Sequence, residues 1–178
     1  MAKRVLYNTC AADPWVKVAK KLKEEQDFEP VYWIGYDNDN SEVLVSQIFP
    51  EATYHPWLDA WKGIFPEEIE KSFMEGNGCI DIDFLRAAAP YEVQIYKMMD
   101  RIESLPGSFS FTERQRHYFR LIKYWTICLD LYKPDLVISA IMPHTIYDYV
   151  LYMICKFKKI PFISVSYTHL TLPTTPYV

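Results

Sequence analysis

Twice in this chain, an apolar run turns at once into an amphipathic helix and then into a second apolar run. That pattern restricts the fold more than any other feature. The first copy opens with "RVLYNTC", Arg4 to Cys10, a β-branched and apolar stretch that ends in Asn and Thr. Asp13 then suits a helix cap and Pro14 a first helical turn. The helix runs through "WVKVAKKLKEEQ", with Trp15, Val18, Ala19 and Leu22 on one face and lysines opposite. Val31 to Tyr36 reads as the second strand, closed by the turn "DNDN".

The second copy is "KPDLVISAIMP", a buried strand bounded by Pro143, followed by the helix "HTIYDYVLYMICKFKK" and the strand start "IPFIS". Ile146, Val150, Met153 and Phe157 form one stripe of that helix, and its lysines sit at the C-terminal end, where the dipole favours cations. Short loops with a helix between two strands specify parallel crossovers. Two such units around a helical middle predict an α/β fold: a Rossmann-like, doubly wound, mainly parallel sheet.

The middle is less regular. "SEVLVSQIFP" reads as a short helix and "ATYHPW" as a third strand. A helix starts at Pro66, with Glu67 and Glu68 near its positive end. Tyr91, Ile95, Met98, Ile102 and Leu105 form the seam of a longer helix that Pro90 starts or kinks. "TERQ", Thr112 to Gln115, has the capping-box pattern for the next helix, whose face is Tyr118, Ile122, Trp125, Leu129 and Tyr132.

Composition narrows the function classes. A net charge of -4, with no basic run beyond two residues, argues against a nucleic-acid partner. The four cysteines, Cys10, Cys79, Cys128 and Cys155, have no metal-ligand spacing, and Cys128 and Cys155 read as small buried hydrophobes. No metal site is expected. With five glycines and neither a Walker loop nor a G-x-G-x-x-G, a dinucleotide dehydrogenase is disfavoured. No apolar run approaches a membrane span and no signal peptide is evident, so the expected location is cytoplasmic.

In open α/β sheets, ligands bind outside the C-terminal strand ends, where strand order reverses. Two loops qualify: Asn8, Thr9, Cys10 and Asp13 after the first strand, and Pro143, His144, Thr145 and Asp148 after the "DLVISAIM" strand. Asp13 is most simply a helix cap, and Thr145 with Asp148 a capping box. His144 is the candidate general base. Cys10 has no partner His that would make it a nucleophile. Tyr147, Tyr149 and Tyr152 are too many for one buried face, so some of them line a groove or interface. Asp81 and Asp83 in "DID" match the D-x-D of metal-dependent glycosyltransferases literally, but their place reads better as a helix-entry turn.

The stretch from Lys133 to Ile163, with its "PDLV" strand, "PH" turn and "YDYVLY" helix, resembles the N-terminal domain of bacterial capsule and surface-polysaccharide biosynthesis proteins. These look like two-domain GT-B glycosyltransferases. The resemblance implies one acceptor-side domain over residues 1–163, with His144 as the catalytic base. Asn8, Thr9, Asp13, Thr145 and Tyr147 would form the acceptor-binding set. It implies a glycan or lipid-linked glycan acceptor, and peripheral association with the inner face of the cytoplasmic membrane. No cofactor is expected in this part of the enzyme; the nucleotide-sugar donor would bind a C-terminal domain that this chain lacks, so the fragment alone would be inactive. The alternative is a noncatalytic Rossmann-like binding or scaffold module of the same pathway. Flavodoxin-like and receiver-like readings lack their phosphate loop and acid cluster.

The last residues raise a separate expectation. "SVSYTHLTLPT", Ser164 to Thr174, resembles the translated transposase mosaic end of a sequencing adapter, residue for residue. An index followed by GTG-TAG would account for the remainder to Val178 and a stop. Residues 164–178 are therefore expected to be adapter-derived and non-native, and His169 drops out of any site.

Overall fold

The computed structural model describes residues 2–10, 12–36, 40–78, 80–102 and 108–165. Five strands form one all-parallel sheet: β1 (Lys3–Asn8), β2 (Phe28–Gly35), β3 (Thr53–Pro56), β4 (Leu136–Ser139) and β5 (Phe162–Ser164). Their spatial order is β3-β2-β1-β4-β5. The chain builds outward from β1 in one direction, then crosses back and builds outward in the other. This is the doubly wound, Rossmann-like arrangement expected from the sequence.

The two faces are covered unequally. Helices α1 (Ala12–Gln26) and α2 (Ser41–Ile48) lie on one face, over Val5, Tyr7, Trp33, Leu136 and Ile138. The other face carries Leu6, Tyr32, Ile34 and Val137, and it meets the larger layer. That layer is α3 (Trp57–Lys62), α4 (Glu67–Met74), α5 (Ile82–Met99), α6 (Phe111–Tyr132) and α7 (Ile146–Lys158). The strands are buried on both sides, so they read in sequence as unbroken apolar runs.

Several sequence expectations are corrected. Val16, not Val18, completes the buried face of α1 with Trp15 and Ala19. Asp13 is inside the first turn of α1 and pairs with Lys17 at 3.0 Å, so it is not the cap. Pro66 caps α4 from outside, and a separate helix, α3, precedes it; Gly63 ends α3 at φ 71, a left-handed conformation that suits glycine. Pro90 lies inside α5, which starts earlier, at Ile82. The box that starts α6 is Ser110 with Glu113, not "TERQ": the Glu113 carboxylate accepts from the Ser110 amide at 2.8 Å. Leu105, Cys79 and residues 37–39 lie outside the described residues.

The seam of α6 packs as expected: Tyr118, Ile122, Trp125 and Leu129 are all buried. At its centre is a buried histidine. His55 lies in β3 and is 1% exposed; the Tyr32 hydroxyl meets its Nδ1 at 2.7 Å, and its Nε2 meets the Ile64 carbonyl at 2.8 Å. A carbonyl can only accept, so Nε2 carries the hydrogen and Nδ1 accepts from Tyr32. Burial lowers its pKa from 6.5 to about 4, so the ring is held neutral.

The β5 edge includes the first residues of the adapter-like segment. Ser164 pairs with Ser139, and the Val165 amide donates to the Ser139 carbonyl at 2.9 Å. The alternation of "ISV" suits a strand whatever its origin. Residues 166–178, with His169, lie outside the described residues. No helix among the described residues is long and apolar enough to cross a membrane.

Gly35 ends β2 where a Cβ would run into the Tyr54 ring, whose hydroxyl donates to the Tyr36 carbonyl at 3.0 Å. Alanine in a strand normally gains about 0.5–1 kcal/mol over glycine, but overpacking costs about 1–3 kcal/mol. Gly35→Ala should therefore lower stability in urea unfolding, and Tyr54→Phe in the same chain should recover part of the loss. A stabilised Gly35→Ala variant would contradict the packing described.

Candidate functional site

Strand order reverses between β1 and β4, which pair in parallel from Val5–Leu136 to Asn8–Ser139. The two predicted loops therefore leave neighbouring strands at the same edge. Residues more than a hundred positions apart meet there because each strand end carries a small polar residue facing α7.

Asn8 and Ser139 are fully buried, and the Asn8 amide Nδ2 donates to Ser139 Oγ at 2.9 Å. Ser139 Oγ in turn donates to the Ile141 carbonyl at 2.7 Å, which shapes the loop after β4. Thr9 follows with φ 53, a left-handed conformation rare for a β-branched residue. Its hydroxyl lies 2.6 Å from that of Tyr147 on α7. Thr9 is 2% exposed and Tyr147 fully buried. Burial, first, and the neighbouring Asp148 push the Tyr147 pKa well up, so this phenol stays protonated. Asn8 Oδ1 is buried without a partner among the described residues.

Above this floor, α7 starts at Thr145. The fully buried Asp148 carboxylate accepts from the Thr145 amide at 2.7 Å and from the His144 amide at 3.2 Å. That is the acidic arm of the predicted capping box, and it satisfies the amides of the N-cap and of the residue before it. Burial raises the Asp148 pKa from 3.8 to about 6, although these donors pull it down.

His144 is the exposed member, with about half its side chain in solvent. Its Nδ1–H donates to the Met142 carbonyl at 2.9 Å, which leaves Nε2 as the lone-pair nitrogen. Asp148 is 3.9 Å from Nδ1, too far for a hydrogen bond but close enough to feel its charge. Arg101 reaches the same rim, where its Nη1 donates to the His144 carbonyl at 3.0 Å. The sequence gives no sign of Arg101: the contact links the 3-10 turn Asp100–Ile102, which follows α5, to the loop before α7 and depends on how the helices pack.

The predicted set thus divides. Asn8, Thr9 and Tyr147 converge, but in a closed floor. Thr145 and His144 sit above it. Asp13 is apart, exposed on α1 with Lys17. Cys10 is fully buried, and burial pushes its thiol pKa far up, which keeps the sulfur protonated. Asp81 caps α5 by accepting from the Phe84 amide at 2.6 Å, and Asp83 pairs with Arg86 at 3.1 Å, as expected of a helix-entry turn. Among the described residues, no group of three His, Cys, Asp or Glu is placed to hold a metal ion.

Two buried groups give opposing pH signatures. His55 has a lowered folded pKa, so its contribution is complete above 6.5 and is lost as pH falls toward 4. Asp148 has a raised folded pKa, so its contribution is present below 3.8 and is lost as pH rises through about 6. Each is worth roughly 3 kcal/mol at full displacement, and they oppose each other on acidification. Relative to wild type, Asp148→Asn should lose more stability between about pH 7 and pH 4 in urea unfolding, because the opposing gain from protonating Asp148 is removed. Parallel pH profiles would show that Asp148 is not the buried proton acceptor described.

Compared with family models, curated proteins and solved structures, the chain matches none.

Proposed function

We propose that this chain is the acceptor-side domain of a glycosyltransferase-like protein of bacterial surface-polysaccharide biosynthesis. In full length, that protein would transfer a sugar from a nucleotide-activated donor to a glycan or lipid-linked glycan. The observation that carries the reading is a coincidence of place: Lys133 to Ile163, which bears the resemblance, is the β4–α7–β5 unit beside the strand-order reversal. The reversal is where such sheets take ligands.

In this reading His144 Nε2 accepts the proton of the attacking acceptor hydroxyl, while the Met142 carbonyl fixes the tautomer. Arg101 supplies positive charge at the same rim. Asn8, Thr9 and Tyr147 hold the loops in place and do not touch the acceptor, because they are closed off from solvent. The donor would bind a second domain that follows in the native gene. The protein would work in the cytoplasm, at the inner membrane face.

That closed floor also favours the second reading, a noncatalytic Rossmann-like binding or scaffold module of the same pathway. In it the rim binds and nothing reacts.

Two experiments separate them. Sequencing the native locus beyond the Ile163 codon should show an open frame encoding a second α/β domain. A stop codon within a few residues would favour the binding module. In the full-length protein, His144→Ala should lower transfer about 100-fold or more with its unfolding midpoint unchanged. Wild-type turnover would remove His144 from the chemistry.

A further inference from the structure

The helix-entry boxes of α6 and α7 place their acids differently. At α6, Glu113 bonds the Ser110 amide from the exposed surface. At α7, Asp148 does the same work while fully buried. Capping alone does not call for this, because an exposed carboxylate accepts the same amides and keeps its hydration. Among the described residues, Asp148 is the only fully buried carboxylate.

What its burial achieves is closeness to His144. Oδ1 accepts from the Thr145 amide at 2.7 Å. Oδ2 accepts from the His144 amide at 3.2 Å, and the same atom lies 3.9 Å from Nδ1 of the His144 ring. The carboxylate is clamped by the backbone of the very residue whose side chain it faces. The Nδ1 hydrogen goes to the Met142 carbonyl at 2.9 Å, so Asp148 acts on the ring through charge and not through a shared proton. The neighbouring Tyr147 phenol also feels this carboxylate, and it faces Thr9, Cys10 and Tyr36 as well. Arg101, from the turn after α5, bonds the His144 carbonyl. Thr145 and His144 are the residues whose bonds and charge act on Asp148, and of these only His144 can become a cation.

We propose that Asp148 is a positioning residue for His144: ionised and clamped by the His144 and Thr145 amides, it holds the turn and supplies the buried counter-charge for the imidazolium that forms when Nε2 takes a proton. This role rests on the reading of His144 as the base for its place in the reaction. The proton passes from the acceptor hydroxyl to Nε2 and stops there, since Nδ1 keeps its own hydrogen on Met142. Asp148 touches no substrate. It favours the charged ring, as an opposite charge within about 4–6 Å does. Protonating Asp148 removes that benefit, and burial brings its pKa from 3.8 up to about 6, where the change falls.

The coupling can be measured in this chain without transfer, by NMR of a nitrogen-15-labelled sample. The His144 and Thr145 amides bond the carboxylate directly, so their proton shifts report its titration. They should titrate near pH 6, and the His144 ring should show an inflection at the same pH. Asp148→Asn keeps a carbonyl oxygen for the two amides but loses the charge, and should abolish that inflection. His144→Gln should raise the midpoint read at the Thr145 amide, because the imidazolium no longer favours the carboxylate. This second variant decides the matter even where Asp148→Asn fails to fold, and a midpoint it leaves unmoved would overturn the proposal.

In the full-length enzyme, Asp148→Asn should lower kcat about tenfold at about pH 8 with the acceptor KM unchanged. About half of the His144 side chain is in solvent, and screening keeps the effect below that of losing the base itself. The gap to wild type should close below about pH 6, where the wild-type carboxyl is neutral too. A gap of the same size at every pH marks a merely structural role and contradicts the proposal. If the titrations are coupled while His144→Ala transfers normally, the pair stands and the base is elsewhere. If His144→Ala abolishes transfer while the titrations are independent, the base stands and this role of Asp148 fails.

Discussion

The structure depends on the pairing of β1 with β4. These strands are distant in sequence: among the described residues, β2 and β3 of the same sheet and the helices α1 to α6 lie between them. Their pairing is secured by the parallel ladder and by a short polar chain at its end. Asn8 donates to Ser139, and the Ala140 amide donates to the Asn8 carbonyl at 3.1 Å. Closing so long a loop costs entropy before any contact rewards it. The apolar burial of Leu6, Val137 and the α6–α7 layer must supply the return, while the polar chain fixes the register. Once β1 and β4 are neighbours, the order reversal follows, and with it the edge that carries both candidate loops.

Much of this is legible in the residues. Strands buried on both faces leave apolar runs that no other element mimics so well, and the helices that follow them show clean stripes. Helix α7 reads correctly from Ile146, Val150, Met153 and Phe157, and α6 from Tyr118 to Leu129. Strand order is harder to read, because pairing partners share no local signal. The short-range errors have short-range causes. Pro90 falls inside α5 because that helix begins earlier, at the Asp81 cap. Ser110 with Glu113 forms the box that starts α6, two residues before the equivalent Thr112–Gln115 pattern, which falls inside the first turn.

The candidate site was legible by position but not by exposure. The rule that ligands gather at strand ends singled out Asn8, Thr9, Asp13, His144 and Thr145, and the surplus of tyrosines on α7 singled out Tyr147. It did not reveal that Tyr147 turns inward to meet Thr9 and closes the floor. Sequence marks a polar residue at a strand end identically whether it faces a ligand or a neighbouring helix. Arg101 escaped for another reason: its bond to the His144 carbonyl joins separate helical segments and is a property of the packed molecule.

The central claim is that a closed polar seam between β1 and β4 fixes the strand-end edge and leaves only the rim above it to act. Native-state hydrogen exchange tests this most directly. The amide of Ala140, which donates to the Asn8 carbonyl across the ends of β4 and β1, should exchange only through global unfolding, with the full stability of the domain as its protection. If it exchanges as quickly as amides on the exposed face of α1, the seam opens locally and the account is wrong.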